Sequence, residues 1–163
     1  METLNKINYY IEKILSVLIV ISFSILIISC VLQVFTRFVL NNSLSWTEEL
    51  ARYAFIWSNL LGAAVCTQKN SHATVTIITD MLSKRKKAIL NIIVNIIVIL
   101  VCYVLIRYGF KVAFAVRTQL SPALRISMML VYLAAPISGL LIMFYSVVHL
   151  FEDMALISNK EGK

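Results

Sequence analysis

Charge is scarce in this sequence. Asp, Glu, Lys and Arg make up 14% of its 163 residues, against 60% hydrophobic residues, whereas soluble chains carry about 25% charge. A mean hydropathy of +0.87 excludes an ordinary soluble domain and leaves a polytopic membrane protein. Turn formers are equally few. Four Gly and two Pro leave little irregular structure, no repeat of 20–50 residues is visible, and residues 1–163 read as a single membrane domain. Histidine is limited to His72 and His149, both near the ends of apolar runs, so paired haem ligands on facing helices are not expected. Cys30, Cys66 and Cys102 fall in three different apolar runs with no CxxC spacing and no neighbouring His. They read as small apolar residues rather than disulfide or metal partners. No nucleophile–base pair, phosphate loop or metal-spaced cluster is present. The chain is therefore not read as an enzyme, and no cofactor or metal is expected.

Charged residues bracket four apolar stretches, 14–36, 53–68, 88–106 and 126–148. Each approaches the roughly 20 residues that a helix rising about 1.5 Å per residue needs to cross a bilayer. The second does so only when its first turn is counted. The alternating ten-residue segments of a closed barrel are absent, so the spans must be helices. The predicted architecture is an all-α membrane protein with four transmembrane helices near 14–37, 47–68, 88–107 and 126–149. The first run follows Lys6 and Lys13 but is too long for a signal-peptide core and lacks a cleavage pattern, so it reads as a retained span. Lys6, Lys13, Lys69, Lys84, Arg85, Lys86, Lys87, Lys160 and Lys163 fall on one side of this topology. Arg37, Arg52, Arg107, Lys111, Arg117 and Arg125 fall on the other. The bias places both termini in the cytoplasm.

Between the second and third spans, Val75, Ile78, Met81 and Leu82 share one helical face, and His72, Thr76, Thr79, Asp80 and Ser83 the other. A strand there would leave its backbone groups unpaired at the membrane surface, so the pattern predicts an interfacial amphipathic helix over 71–83. Lys84, Arg85, Lys86 and Lys87 follow as a lipid headgroup anchor. With that run beside a span, the formal net charge of +7 points to anionic lipid and not to nucleic acid. The third helix is expected to run on to Ser121-Pro122, where proline stops it, with a second interfacial segment as the alternative. Pro136 predicts a kink in the fourth.

Four charges crowd the turn between the first two spans: Arg37, Glu48, Glu49 and Arg52. Ser45-Trp46-Thr47-Glu48 fits a capping box with Ser45 as the N-cap, and carboxylates in a first turn suit the helix dipole. Glu48 and Glu49 lie four and three residues before Arg52, so both can face its guanidinium, and Arg37 is within reach of either acid. Trp46, Tyr53 and Trp57 suit an aromatic belt. Two readings stay open, a capped helix start that anchors topology or a docking edge. A cap needs only one acid, so the second acid and the arginines are surplus to it. Below them Phe55, Asn59, Gly62 and Cys66 continue the same stripe. A mid-span amide among small residues favours close helix packing, within this chain or against another subunit. The candidate docking residues are Arg37, Trp46, Glu48, Glu49, Arg52, Asn59 and Gly62.

No ionisable acid, base or His lies between Lys13 and Arg37, Arg52 and Lys69, Lys87 and Arg107, or Arg125 and His149. Ion-coupled carriers place such groups or broken helices near the midplane, so the chain is not expected to move a solute by itself. The alternative is an autonomous small four-helix carrier or drug exporter acting as an oligomer; its first span would need an embedded acid, and here it holds only Gln33 among strongly polar side chains.

Arg37-Phe38-Val39, Trp46-Thr47-Glu48-Glu49-Leu50-Ala51-Arg52-Tyr53, Trp57 and Gly62-Ala63-Ala64 resemble the small membrane subunit, DctQ type, of the tripartite ATP-independent periplasmic (TRAP) transporters. His72, Leu120-Ser121-Pro122-Ala123-Leu124 and the stretch from Tyr132 to Pro136 are similar to that family as well. The sequence departs from it at Thr76, where an acid is common, and at Ser71, where Gly is usual. The resemblance implies a non-catalytic subunit in the bacterial inner membrane, a scaffold for a large permease subunit holding the sodium and substrate sites. It also implies a periplasmic substrate-binding protein delivering an organic acid of the C4-dicarboxylate, keto acid or sialic acid class.

Overall fold

The computed structural model describes residues 2–42, 44–69 and 84–158, with side chains described for 10–42, 44–69 and 89–155. Among the described residues five helices follow one another: α1 (Glu2–Phe38), α2 (Ser45–Gln68), α3 (Lys84–Ala115), α4 (Met128–Tyr132) and α5 (Ala134–Ser158). The described residues are helical apart from short turns and one isolated bridge, Leu120 with Ser127. Among the described residues three segments are long and apolar enough to cross a membrane, Tyr10–Phe38, Ile89–Ala115 and Met128–Ala155. The helix expected for the second span forms as α2, 24 residues long, but Glu48, Glu49, Arg52, Asn59 and Gln68 keep it from matching the other three in apolarity. The interfacial helix expected over 71–83, with His72, lies outside the described residues. So do the side chains of Lys84, Arg85, Lys86 and Lys87, whose backbone opens α3.

The helices lie in a row, not a closed bundle. α1 packs on α2, α2 on α5, and α5 on α3. The packed side of α1 runs through Leu15, Ile19, Ser22, Leu26, Ser29, Gln33 and Thr36, and of the residues between them all but the half-buried Ser16 and Leu32 are exposed. That alternating 4–3 spacing is a coiled-coil seam, and its small and polar members let the backbones approach where lipid offers no hydrophobic drive. α3 repeats the spacing at Asn95, Ile99, Cys102, Ile106, Gly109 and Ala113. Facing it on α5 are Ser138 and Gly139, both buried. A Cβ on Gly139 would sit 3.4 Å from Ile106 Cγ1, and one on Gly109 only 3.0 Å from Pro136 Cδ.

Two expectations need correction. The third helix stops at Ala115, six residues before Ser121. Gln119 and Ser121 pair with Met128 and Ile126 through backbone hydrogen bonds of 2.9 Å each, and that pairing needs extended backbone at Leu120, which a continuing helix forbids. The kink at Pro136 is realised as a break one turn earlier. Pro136 has no N–H for the Tyr132 carbonyl, and Leu133 separates α4 from α5.

Candidate functional site

The head of α2 is built differently from a capping box. Its N-cap is Leu44, with no side-chain cap, and Ser45 is already helical and exposed. The Thr47 hydroxyl donates 2.7 Å to the Leu44 carbonyl, which ties the first turn back to Leu44 and caps none of its N–H groups. Glu48 does not reach back, because its carboxylate meets Arg52 Nη2 at 3.2 Å. Both side chains of that pair are more than 60% exposed.

The two neighbouring acids have opposite surroundings. Glu49 is buried, and its carboxylate faces the 121–124 turn instead of Arg52. There Pro122 presets a turn closed by the Arg125 N–H donating to the Ser121 carbonyl at 3.2 Å, with Arg125 in the left-handed region at φ 52°. The turn's leading N–H groups have no partner within it, as in the first turn of any helix. Ala123 N–H and Leu124 N–H donate to Glu49 Oε2 at 2.7 and 3.2 Å, and the Tyr53 hydroxyl donates to Oε1 at 2.5 Å. Hydrogen bonds to a carboxylate are stronger than neutral ones, so Glu49 ties α2 to a turn some 74 residues away. The Tyr53 hydroxyl also lies 3.4 Å from Met128 Sδ. Ser127 caps α4, accepting from Met129 N–H at 3.3 Å while donating to the Arg117 carbonyl at 2.8 Å.

Beside this tie an open cleft of about 720 Å³ runs between α2, α4 and α5. Tyr53, Ile56, Leu60, Met128 and Val131 line it, with Glu48 and Arg52 among its walls. The tail of α2 carries a second tie. His149 Nε2–H donates 3.0 Å to the Thr67 carbonyl, and Nδ1 lies 3.3 Å from Glu152 Oε2. Next to it Glu12 on α1 pairs with Lys69 at 3.0 Å. His149 thus serves the last turn of α2.

Of the candidate residues, the structure gathers Glu48, Arg52, Asn59 and Gly62 on one uncovered face of α2. At about 100° per residue, Trp46 falls on the opposite side of the helix, and it is 39% exposed. Arg37 is exposed at the end of α1, and no ion pair joins it to Glu48 or Glu49. Among the described residues Asn59 makes no interhelical bond. Its amide donates 2.8 Å to the Phe55 carbonyl one turn back. A Cβ added at Gly62 would meet no atom within 4 Å. The sequence reading missed the joining of Glu49 to the turn amides; the signal available was Ser121-Pro122, read there as a helix stop. Among the described residues no group of three His, Cys, Asp or Glu could hold a metal.

The family model described as Tripartite ATP-independent periplasmic transporters, DctQ component, matches residues 26–156. A Haemophilus influenzae protein assigned as a TRAP transporter small permease is 29% identical over 161 residues, 98% of this chain and 99% of that one. The sialic acid TRAP transporter small permease protein SiaQ of Vibrio cholerae is 28% identical over 125 residues, 77% of this chain and 72% of its own length. The isethionate TRAP transporter permease protein DctMQ of Oleidesulfovibrio alaskensis is 34% identical over 113 residues, 68% of this chain but 17% of the longer protein.

Proposed function

The chain belongs to the DctQ component family of the tripartite ATP-independent periplasmic transporters, and we propose that it is the non-catalytic small subunit that scaffolds a large permease subunit. It is a multi-pass inner-membrane protein. In the proposed complex the large subunit carries the sodium and substrate sites, and a periplasmic binding protein delivers an organic acid of the C4-dicarboxylate, keto acid or sialic acid class.

One observation carries this reading. In the DctMQ relative, the segment that matches this chain is 17% of a single permease polypeptide. Covalent linkage keeps such a segment beside its partner at high effective concentration, and a separate chain must achieve the same association through its surface. The spans support the division of labour, because none carries an acid, base or His near its middle of the kind that ion-coupled carriers use.

In this reading α2 is the fourth crossing, with both termini cytoplasmic and the 116–127 turn outside. The 16 uncharged residues between Arg52 and Lys69 rise about 24 Å, less than the roughly 30 Å of hydrocarbon. The polar head and tail of α2 therefore sit at the two boundaries of the bilayer. Arg37, Trp46, Glu48 and Arg52 mark the outer boundary, and Lys84, Arg85, Lys86 and Lys87 anchor the inner side to headgroups. Glu49 contributes to docking by holding the outer turn in place against α2.

Reconstitution tests the proposal. Sodium-driven uptake of a labelled organic acid into liposomes is expected when this chain, the large permease and the binding protein are all present, and not with this chain alone. Uptake by the chain alone would refute the scaffold role and establish the autonomous carrier in its place.

A further inference from the structure

We propose that the uncovered face of α2 through Glu48, Arg52, Phe55, Asn59 and Gly62 is the seat of one transmembrane helix of the large permease. We further infer that α1 and α3 turn their open sides to lipid. The inference rests on the scaffold reading and adds to it the face, the depth and the chemistry of the partner element.

Apart from Trp46, the exposed residues of α2 are Ser45, Glu48, Arg52, Phe55, Asn59 and Cys66. At about 100° per residue all six fall within an arc of some 80°, and Gly62 extends it to about 100°. The rest of the helix is committed. Thr47, Ala51, Ala54 and Ser58 are buried on one flank, and Glu49, Tyr53, Ala64 and Thr67 on the other. Since α1 and α5 are the long helices that pack on α2, the arc is what the row leaves free.

The composition of that arc is wrong for acyl chains. The open sides of α1 and α3 carry Val20, Ile28 and Val31, and Ile97, Leu100 and Val104, all half exposed or more. The arc on α2 carries an ion pair, an amide and a glycine, with Phe55 its single large hydrophobic residue. Asn59 lies seven residues below Arg52 and Gly62 seven residues above Lys69, so both sit within about 3 Å of the midpoint of the uncharged stretch at 1.5 Å per residue. One N–H of the Asn59 amide is taken by the Phe55 carbonyl, which leaves its oxygen and second N–H for another polar group at that depth, and a glycine with no neighbour within 4 Å of its Cβ position admits a helix backbone closely. The 720 Å³ cleft borders the arc on its α5 side, where it receives the flank of the seated helix. The partner helix accordingly carries a small residue where it crosses Gly62, a polar side chain level with Asn59, and a polar or charged group opposite Glu48 and Arg52.

The test co-expresses the full chain with a tagged large permease and places a photo-crosslinking phenylalanine analogue at Phe55 or Cys66 on α2, Val31 on α1 or Leu100 on α3. Crosslinks to the permease from Phe55 and Cys66 and not from Val31 or Leu100 are expected. Gly62→Leu, which meets open space in the isolated chain, is expected to keep its thermal stability and lower recovery with the permease about tenfold or more, in keeping with the cost of overpacking a close helix contact. Crosslinks to the permease from α1 or α3 alone would overturn the proposed seat while leaving the scaffold role standing. Crosslinks from α2 to lipid, or to a second copy of this chain, would overturn it too. Failure of the unmodified chain to co-purify with the permease would overturn both.

Discussion

Gly62 and Gly109 are both helical glycines with opposite surroundings, and alanine at each isolates the strain stored in one seam. At Gly109 a new Cβ would lie 3.0, 3.3 and 3.4 Å from Pro136 Cδ, Cβ and Cγ. The ring cannot rotate aside as a flexible side chain could, so α3 and α5 must separate by a few tenths of an ångström along a seam that also holds Cys102, Ala113, Ser138 and Gly139. Overpacking of this kind costs about 1–3 kcal/mol. Replacing Gly by Ala in a helix returns up to about 1 kcal/mol, which masks part of the loss in a single variant. At Gly62 the same replacement meets no atom within 4 Å and carries only the gain. The propensity contribution cancels between the two variants, so their difference is the packing strain itself. With roughly 2–4 °C per kcal/mol for a chain of this size, Gly109→Ala should melt about 2–12 °C below Gly62→Ala. Unfolding followed by Trp46 and Trp57 fluorescence in one detergent measures it. Equal melting temperatures, or a higher one for Gly109→Ala, would refute the close Pro136 crossing.

Glu49→Ala should free the Ala123 and Leu124 amides and speed their hydrogen exchange by about tenfold or more, while Glu49→Gln keeps an acceptor for them and Glu48→Ala leaves them protected; unchanged protection in Glu49→Ala would show that the carboxylate does not hold the turn. His149→Ala removes the bond to the Thr67 carbonyl and should cost about 1 kcal/mol, with faster exchange confined to the amides of the last turn of α2. A loss spread evenly over the chain would contradict that local role.

The helices were legible because apolar runs of the right length were bracketed by charge, and three of the four form spans of the expected kind. Their packed faces were harder to read. In a membrane the outward side is as apolar as the inward one, so Ser22, Ser29 and Thr36 on α1, and Asn95 and Gly109 on α3, mark the seams through small size and polarity rather than through hydrophobic periodicity. The charged cluster was found but not resolved. Glu48 and Glu49 are equivalent by spacing to Arg52, and only the fold brings Ala123 and Leu124 to one of them. Ser45 fitted a cap motif, yet the turn from Asn41, itself left-handed at φ 50°, delivers Leu44 to that position. The end of α3 depended on pairing between residues 119–121 and 126–128, which no local signal announces.

A row one helix thick is a plate, and a plate of two hairpins has one soft line, the seam between α2 and α5. The ties at the two ends of α2 pin that line. Glu49 holds the 121–124 turn of the second hairpin, and the Thr67 carbonyl holds His149 some 18 residues, or about 27 Å, further along. Folding of the plate about its seam would have to break a bond at each end at once. A subunit braced in this way can resist bending while a larger neighbour moves against it, with stiffness supplied by two polar contacts in place of a thick core.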